Sequence, residues 1–368
     1  MPPPSTGRAV ADIGRACHGA TGSVGVVRAV AERMQESVAF DAWCALTIDP
    51  ASVLPTGGFH EHGVPAQHLT RLVEIEVRGD DTMALPILAR RPGRVTTLSG
   101  ATGGRPARSQ HYRDILVPSG LEHELRVLFT AGAGVWGALV MFRATDSPDF
   151  STAETTLVEA ATSPVAAAIR REMMLTEITH GDEAGPGLLL LDRSLAPLSV
   201  STAARRWLAE VDDGMDPHTE LPYAVIMLAN RAHAPATDHA YPLRSRIRTR
   251  TGRWLTFHAE RLAGDATHVS VIIEPSRPVE IAQLIADAYQ LTERERQVVR
   301  LLAGGHSRRE IARLLSLSPH TVDDHIKRVF GKLGVRSRAE LTSKLFFDQH
   351  LTRIETDVPV GGTGWFLH

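Results

Sequence analysis

Residues 291–346 read LTERERQVVRLLAGGHSRREIARLLSLSPHTVDDHIKRVFGKLGVRSRAELTSKLF. The spacing predicts four short helices. Thr292 can N-cap the first, with Glu295 completing a capping box, and Ser307 with Glu310 and Ser337 with Glu340 repeat the arrangement. Gly304 and Gly305 stand where the first helix should end, and Gly334 where the third should end. Ser318 followed by Pro319 is an N-cap with proline at the first helical position. Only Ser316, Leu317 and Ser318 separate the second and third helices, the short turn of a helix-turn-helix.

In the third helix Val322, Ile326, Val329 and Leu333 form one apolar stripe, expected to pack on Val298, Leu301, Leu302, Ile311 and Leu315. His320, Thr321, Asp323, Asp324, Lys327 and Arg328 fall on the outward face. Residues 319–333 would span roughly 22 Å, enough to lie in a DNA major groove. Charge agrees. Between 291 and 350 there are twelve Lys and Arg against seven Asp and Glu, so this end is +5; the whole chain is −2, which leaves −7 elsewhere. All three lysines (327, 332 and 344) lie here, and the other 37 basic residues are arginine. A basic module on an acidic body points to nucleic acid meeting this end.

The segment resembles the LuxR/NarL-type helix-turn-helix. The residues that carry the resemblance are Leu291-Thr292, Arg294-Glu295, Leu301-Leu302-Ala303, Gly305, Ser307, Glu310-Ile311-Ala312, Leu315, Ser318, Thr321-Val322, His325, Lys332-Leu333-Gly334-Val335 and Ser337-Arg338. The resemblance implies a bacterial, cytoplasmic, usually homodimeric transcription regulator that binds double-stranded DNA and is not an enzyme. It places Ser307, Arg308, Arg309, Ser318, His320, Thr321, Asp323, Asp324, Lys327, Arg328 and Lys332 at the DNA. The fourth helix, 338–346, would pair two copies through Leu341 and Leu345. One departure stands out: the family often has lysine or another non-acidic polar residue where this chain has Asp323 and Asp324. Two carboxylates there repel phosphate. They could accept from cytosine N4, or pair along the helix as Asp323–Lys327 and Asp324–Arg328.

The chain is 368 residues, 43% hydrophobic and 22% charged, as expected of a multidomain globular protein. No apolar run approaches a membrane span, and the N-terminus lacks a signal peptide's apolar core, so no membrane partner is expected. Cys17 and Cys44 offer neither a zinc spacing nor an expected disulfide.

From the N-terminus, residues 1–8 read as irregular and are followed by helix to about 38. A buried strand is expected at 43–48, a turn-rich stretch after it, a helix at 68–77 and a long loop at 90–107. A short helix at 111–117, strands at 125–131 and 135–143, and a helix from 151 to 179 kinked at Pro164 complete an α+β domain at 9–179. The strand VWGALVMFR, Asp149-Phe150 and Ala166-Ala167-Ala168-Ile169 resemble a GAF sensor domain. That resemblance implies a small-ligand pocket or a pairing unit. Gly132, Gly134 and Gly137 spell GxGxxG, but a strand follows where a dinucleotide site needs a helix, so a hairpin is expected. His60, Glu61, His62 and His68 match no zinc spacing, and neither metal nor cofactor is expected.

A second α+β domain at 184–275 has strands at 188–192, 197–200, 243–251, 253–261 and 268–274, with helices at 202–211 and 222–233. A strand ending in Asp192, a helix after Ser201 and the closing RTRTGRWLTFHAERL resemble a PAS-like domain. Arg244, Arg246, Arg248 and Arg250 alternate along one strand face, either an anion-facing stripe or a solvated outer face. A linking helix at 279–289 leads into an all-α helix-turn-helix domain at 279–348, with a tail at 349–368. No nucleophile, acid pair, phosphate loop or receiver-type acidic cluster is present. The expected function is a DNA-binding regulator controlled by an unidentified small molecule or protein at its sensor domains. The alternative is a signalling scaffold that docks proteins on the helix-turn-helix.

Overall fold

The computed structural model describes residues 6–61, 64–132, 134–174, 185–211, 221–234, 242–262, 268–342 and 344. The chain divides into two compact units: Met1–Leu175 with Thr179–Pro275, and Ser276–His368 with Thr176–Ile178. Both sheets belong to the first unit. The expected boundary near 179–184 lies outside the described residues, as do the end of the 151–179 helix, His62, Leu345 and the tail.

The first sheet follows two helices, α1 (Thr6–Gly19) and α2 (Gly22–Met34). Strands β1 (Ala42–Asp49) and β2 (Leu54–Glu61) come next, then α3 (Ala66–Arg78), α4 (Leu85–Leu88), β3 (Val95–Thr97) and α5 (Leu98–Thr102). The long strands β4 (Leu121–Ala131) and β5 (Gly134–Ala144) lead to α6 (Thr152–Met174). The strands are antiparallel in the order β2-β1-β5-β4-β3. Helices α1, α2 and α6 pack on one another, and Trp43, Phe129 and Trp136 are fully buried.

Three expectations are corrected here. The turn-rich stretch after β1 contains β2, because its residues 54–58 are buried and the strand pairs with β1. The 90–107 loop contains β3 and α5, short elements that local periodicity does not reveal. The expected helix at 111–117 is one wide turn at Tyr112–Leu116. The three glycines form a hairpin, as expected. Gly132 takes a left-handed φ of 62°. A Cβ on Gly137 would come within 2.8 Å of the Leu46 carbonyl on the neighbouring strand, so glycine there permits close strand approach. Ser151 and Glu154 close the expected capping box, and α6 runs through Pro164.

The second sheet contains β6 (Gly187–Leu191), β7 (Pro197–Val200), α7 (Thr202–Glu210), α8 (Tyr223–His233), β8 (Arg244–Arg248), β9 (Trp254–Arg261) and β10 (Val269–Pro275). Its antiparallel order is β7-β6-β10-β9-β8. Numbered within each sheet, both orders are 2-1-5-4-3. Alternation places Val269, Val271 and Ile273 of β10 in a core with Leu189, Trp207, Leu228 and Phe257.

The arginine stripe divides: Arg250 is exposed beyond the end of β8, whereas Arg246 and Arg248 are tied to the first sheet and its helix. Arg246 Nη2 lies 2.8 Å from Asp49 Oδ1 of β1, with both side chains almost wholly buried (3% and 1% exposed). Arg248 donates to the Glu172 carbonyl of α6 at 2.9 Å, and Arg231 of α8 to the Ser52 carbonyl at 2.7 Å. These contacts fasten the second sheet to the first, and the pairing offsets the cost of burying the charge.

The second unit comprises α9 (Pro278–Ala288), α10 (Glu293–Ala303), α11 (Arg308–Leu314), α12 (Pro319–Leu333) and α13 (Arg338–Thr342). Both bonds of the capping boxes at Thr292/Glu295 and Ser307/Glu310 are present. At the third, Glu340 returns its carboxylate to the amide of Arg336 rather than Ser337. Gly305 (φ 96°) supplies the left-handed residue after α10, while Gly304 stays near-helical. Val298, Leu302, Ile311, Val322, Ile326, Val329, Leu333 and Leu341 form the core; Leu301 and Leu315 are only half-buried.

Candidate nucleic-acid interface

Helix α12 is positioned from both sides. Its apolar stripe packs on α10 and α11. At its start, Ser318 Oγ accepts from the Thr321 amide at 3.1 Å and lies 2.8 Å from the Thr321 hydroxyl, while Pro319 opens the helix. The turn before it closes through the Leu317 amide, which donates to the Ala312 carbonyl at 2.8 Å, with Ser316 at φ 54°. The left-handed conformation falls on a serine, so no glycine marks this turn in the sequence.

The expected pairing of the two aspartates along α12 is replaced. Asp323 Oδ1 lies 3.1 Å from Arg308 Nε of α11, a pair that bridges the two helices of the motif in solvent. Asp324 lies 4.0 Å from His320 Nε2. Lys327 and Arg328 are therefore left exposed, and with Arg309 they have no ion-pair partner among the described residues. Ser307 and His320 are exposed, and Thr321 is half-buried.

Two residues expected at interfaces have structural partners. Lys332 Nζ donates to Glu295 Oε2 at 2.6 Å and to the Gln290 carbonyl at 3.0 Å. Burial pushes the Glu295 carboxyl up, but Lys332 and the Thr292 amide together hold it below its ordinary value. Lys332 thus locks α12 to α10, and its charge is already matched. Leu341 is fully buried in the module's own core. It anchors α13 and has no free face to offer a second copy.

Sequence reading missed a second constellation, in the first unit. A cavity of about 390 Å³ is lined by Leu46, Val73, Glu76, His111, Arg126, Phe142, Tyr223 and Ile226, among others. At its edge Arg126 pairs with Glu76, and its Nε donates to Glu124 Oε1 at 2.5 Å. Glu124 Oε2 is 3.1 Å from His111 Nδ1. All four side chains are buried. Burial pushes the Glu124 carboxyl up, but Arg126 and His111 overcome it and bring it down to about 2. Burial likewise pushes the Cys44 thiol beside the cavity up to about 12. The only available signal was charge within strand β4, Glu124 and Arg126 standing two apart among apolar neighbours; their partners come from distant segments.

Among the described residues no group of three or more His, Cys, Asp or Glu is arranged to hold a metal ion. Nor is any helix among them long and apolar enough to cross a membrane. The side chains of His60 and Glu61 lie outside the described residues.

Residues 289–345 match the family model for bacterial regulatory proteins of the luxR family. Transcriptional regulatory protein UhpA of Escherichia coli is 45% identical over 69 residues, 18% of this chain and 35% of that protein. The nitrate/nitrite response regulator NarL of the same organism is 38% identical over 77 residues, 19% of this chain and 36% of its own length. The HTH-type transcriptional regulator Rv0890c of Mycobacterium tuberculosis is 46% identical over 54 residues, 15% of this chain and 6% of that protein. The chain thus matches little more than a third of each of these relatives at most. A crystal structure of Escherichia coli SdiA aligns over 91% of this chain and 94% of its own, at 11% identity and a TM-score of 0.34, a likeness too loose to bear on the fold. The matched relatives, the capped four-helix module and the exposed cations of its third helix agree: residues 289–345 are a helix-turn-helix domain of the bacterial luxR type.

Proposed function

We propose that the protein is a sequence-specific DNA-binding transcription regulator whose activity is set by an effector bound in its first unit. The observation that carries the reading is the outward face of α12, where Lys327 and Arg328 stand exposed while Lys332 is held by Glu295. Arg309 and the N-termini of α11 and α12 would add phosphate contacts, and His320, Thr321 and Asp323 would meet base edges. A homodimer would present two α12 helices about 34 Å apart, one turn of DNA. Leu341 cannot supply that pairing, so the contact falls to other residues.

The test is selection of bound genomic fragments by the purified full chain, followed by affinity measurements across salt concentrations. Enrichment of one inverted-repeat sequence and a steep linear fall of log affinity with log salt are expected. Absence of any enriched sequence would sink the reading. The two aspartates on α12 favour a second reading, a protein-docking scaffold; it gains if fragments are not retained at low salt.

A further inference from the structure

The cavity in the first unit is built across the two sheets. Leu46, Val73 and Phe142 come from the first sheet and its helix α3, and Tyr223 and Ile226 from α8 of the second. Its volume, about 390 Å³, falls within the range of small-molecule sites. The walls are mainly apolar, and the ionic cluster lies at one end.

Within that cluster one atom is unsatisfied. His111 is 1% exposed and lines the cavity. Its Nδ1 faces Glu124 at 3.1 Å, and its Nε2 has no hydrogen-bond partner. Nδ1 also lies 3.4 Å from Arg126 Nη2, so the two neighbours leave Nε2 either a donor or an acceptor. A buried polar atom left unpaired is costly, and a ligand hydroxyl, which can donate or accept, would relieve that cost. The charge balance narrows the class further. The charged side chains that line or border the cavity are Glu74, Glu76 and Glu124 against Arg126 and Arg193, so an added anion would meet a surplus of negative charge.

We propose that the cavity binds a small, mainly apolar molecule that carries one hydroxyl, hydrogen-bonded to His111 Nε2, and that it rejects carboxylates and phosphates. Because α8 forms one wall, an occupant touches both sheets at once. The regulatory consequence rests on the effector reading above; the site itself does not.

The test is calorimetric titration of the full chain with three shape-matched probes: phenylbutanol, butylbenzene and phenylbutyrate. Phenylbutanol should bind about tenfold more tightly than butylbenzene, the value of one satisfied buried polar atom, and phenylbutyrate should be the weakest. His111→Phe should bring phenylbutanol down to the affinity of butylbenzene. Ile226→Trp fills the cavity from the opposite wall, leaves the cluster untouched and should remove binding of all three; it decides the matter if His111→Phe does not fold. Phenylbutyrate binding as well as the alcohol, an alcohol preference that survives His111→Phe, or no binding by any probe would overturn the proposal. DNA affinity is measured in parallel. Probe binding that leaves DNA affinity unchanged supports the site and counts against effector control; fragment selection that fails while probes bind separates the two in the same way.

Discussion

The buried ion pairs of the first unit and the exposed pair on the outer face of the second play opposite roles. In the first, Asp49–Arg246 and the Glu76–Arg126–Glu124 cluster are buried. In the second, Arg308 and Asp323 pair with side chains 66% and 37% exposed. A buried guanidinium cannot be lent to a polyanion, because removing it strands its carboxylate in a medium of low dielectric. An exposed pair is worth little and can be traded for a phosphate at small cost. The same residue types therefore fasten the two sheets together where they are buried, and stay exchangeable where they are exposed.

The most forceful way to break this comparison is Arg126→Met. It leaves two buried carboxylates facing each other, and denaturant unfolding of the first unit should lose about 3–5 kcal/mol. A loss below about 1 kcal/mol would place the cluster energetically with surface pairs and undo the contrast. Arg246→Met should cost a similar amount, with Asp49 stranded instead.

Acid titration sharpens the same point. Glu124 has a folded value of about 2 against an ordinary 4.5. A depressed carboxylate contributes stability that is complete above the ordinary value and lost as pH falls through the folded one. The first unit should therefore lose stability between about pH 4.5 and about pH 2. Glu124→Gln should be less stable at neutral pH and show a flatter decline across that window. An unchanged slope would remove Glu124 from the account.

On the DNA side, replacing Lys327 and Arg328 together by Ala should leave the unfolding midpoint nearly unchanged. The slope of log affinity against log salt should shrink in magnitude by about 2, one for each phosphate that is no longer neutralised. A lowered midpoint with an unchanged slope would mean that these cations are structural. Ser318→Ala should cost about 1 kcal/mol of second-unit stability by removing the cap of α12. The smallest effect is expected for Asp323→Ala, within about 1 kcal/mol for an exposed pair. Its informative readout is the sequence of DNA selected, which should change if this carboxylate meets cytosine.

Legibility followed the range of the interactions. The caps at Thr292, Ser307 and Ser318 bond to amides three residues on, so spacing alone found them. The stripe on α12 repeats every turn and was equally plain. Strand β2 was missed because PTGGF carries turn residues; burial against β1 makes it a strand. His111, Glu124, Arg126 and Glu76 could not be gathered from sequence, since their partnerships span up to 50 positions. Arg246 was read as one of a stripe, and nothing local reveals Asp49, 197 positions away.

By itself the sequence determined the helix-turn-helix: its caps, its core stripe and its local positive charge all act within a few residues or sum over a short segment. Tertiary structure decided which charges remain free to act. It tied Lys332 to Glu295, buried Leu341 and Arg246, and left Lys327 and Arg328 in solvent. The physical reason is that a charge's role depends on its dielectric surroundings and its partner, and both are set by segments that meet only when the chain has folded.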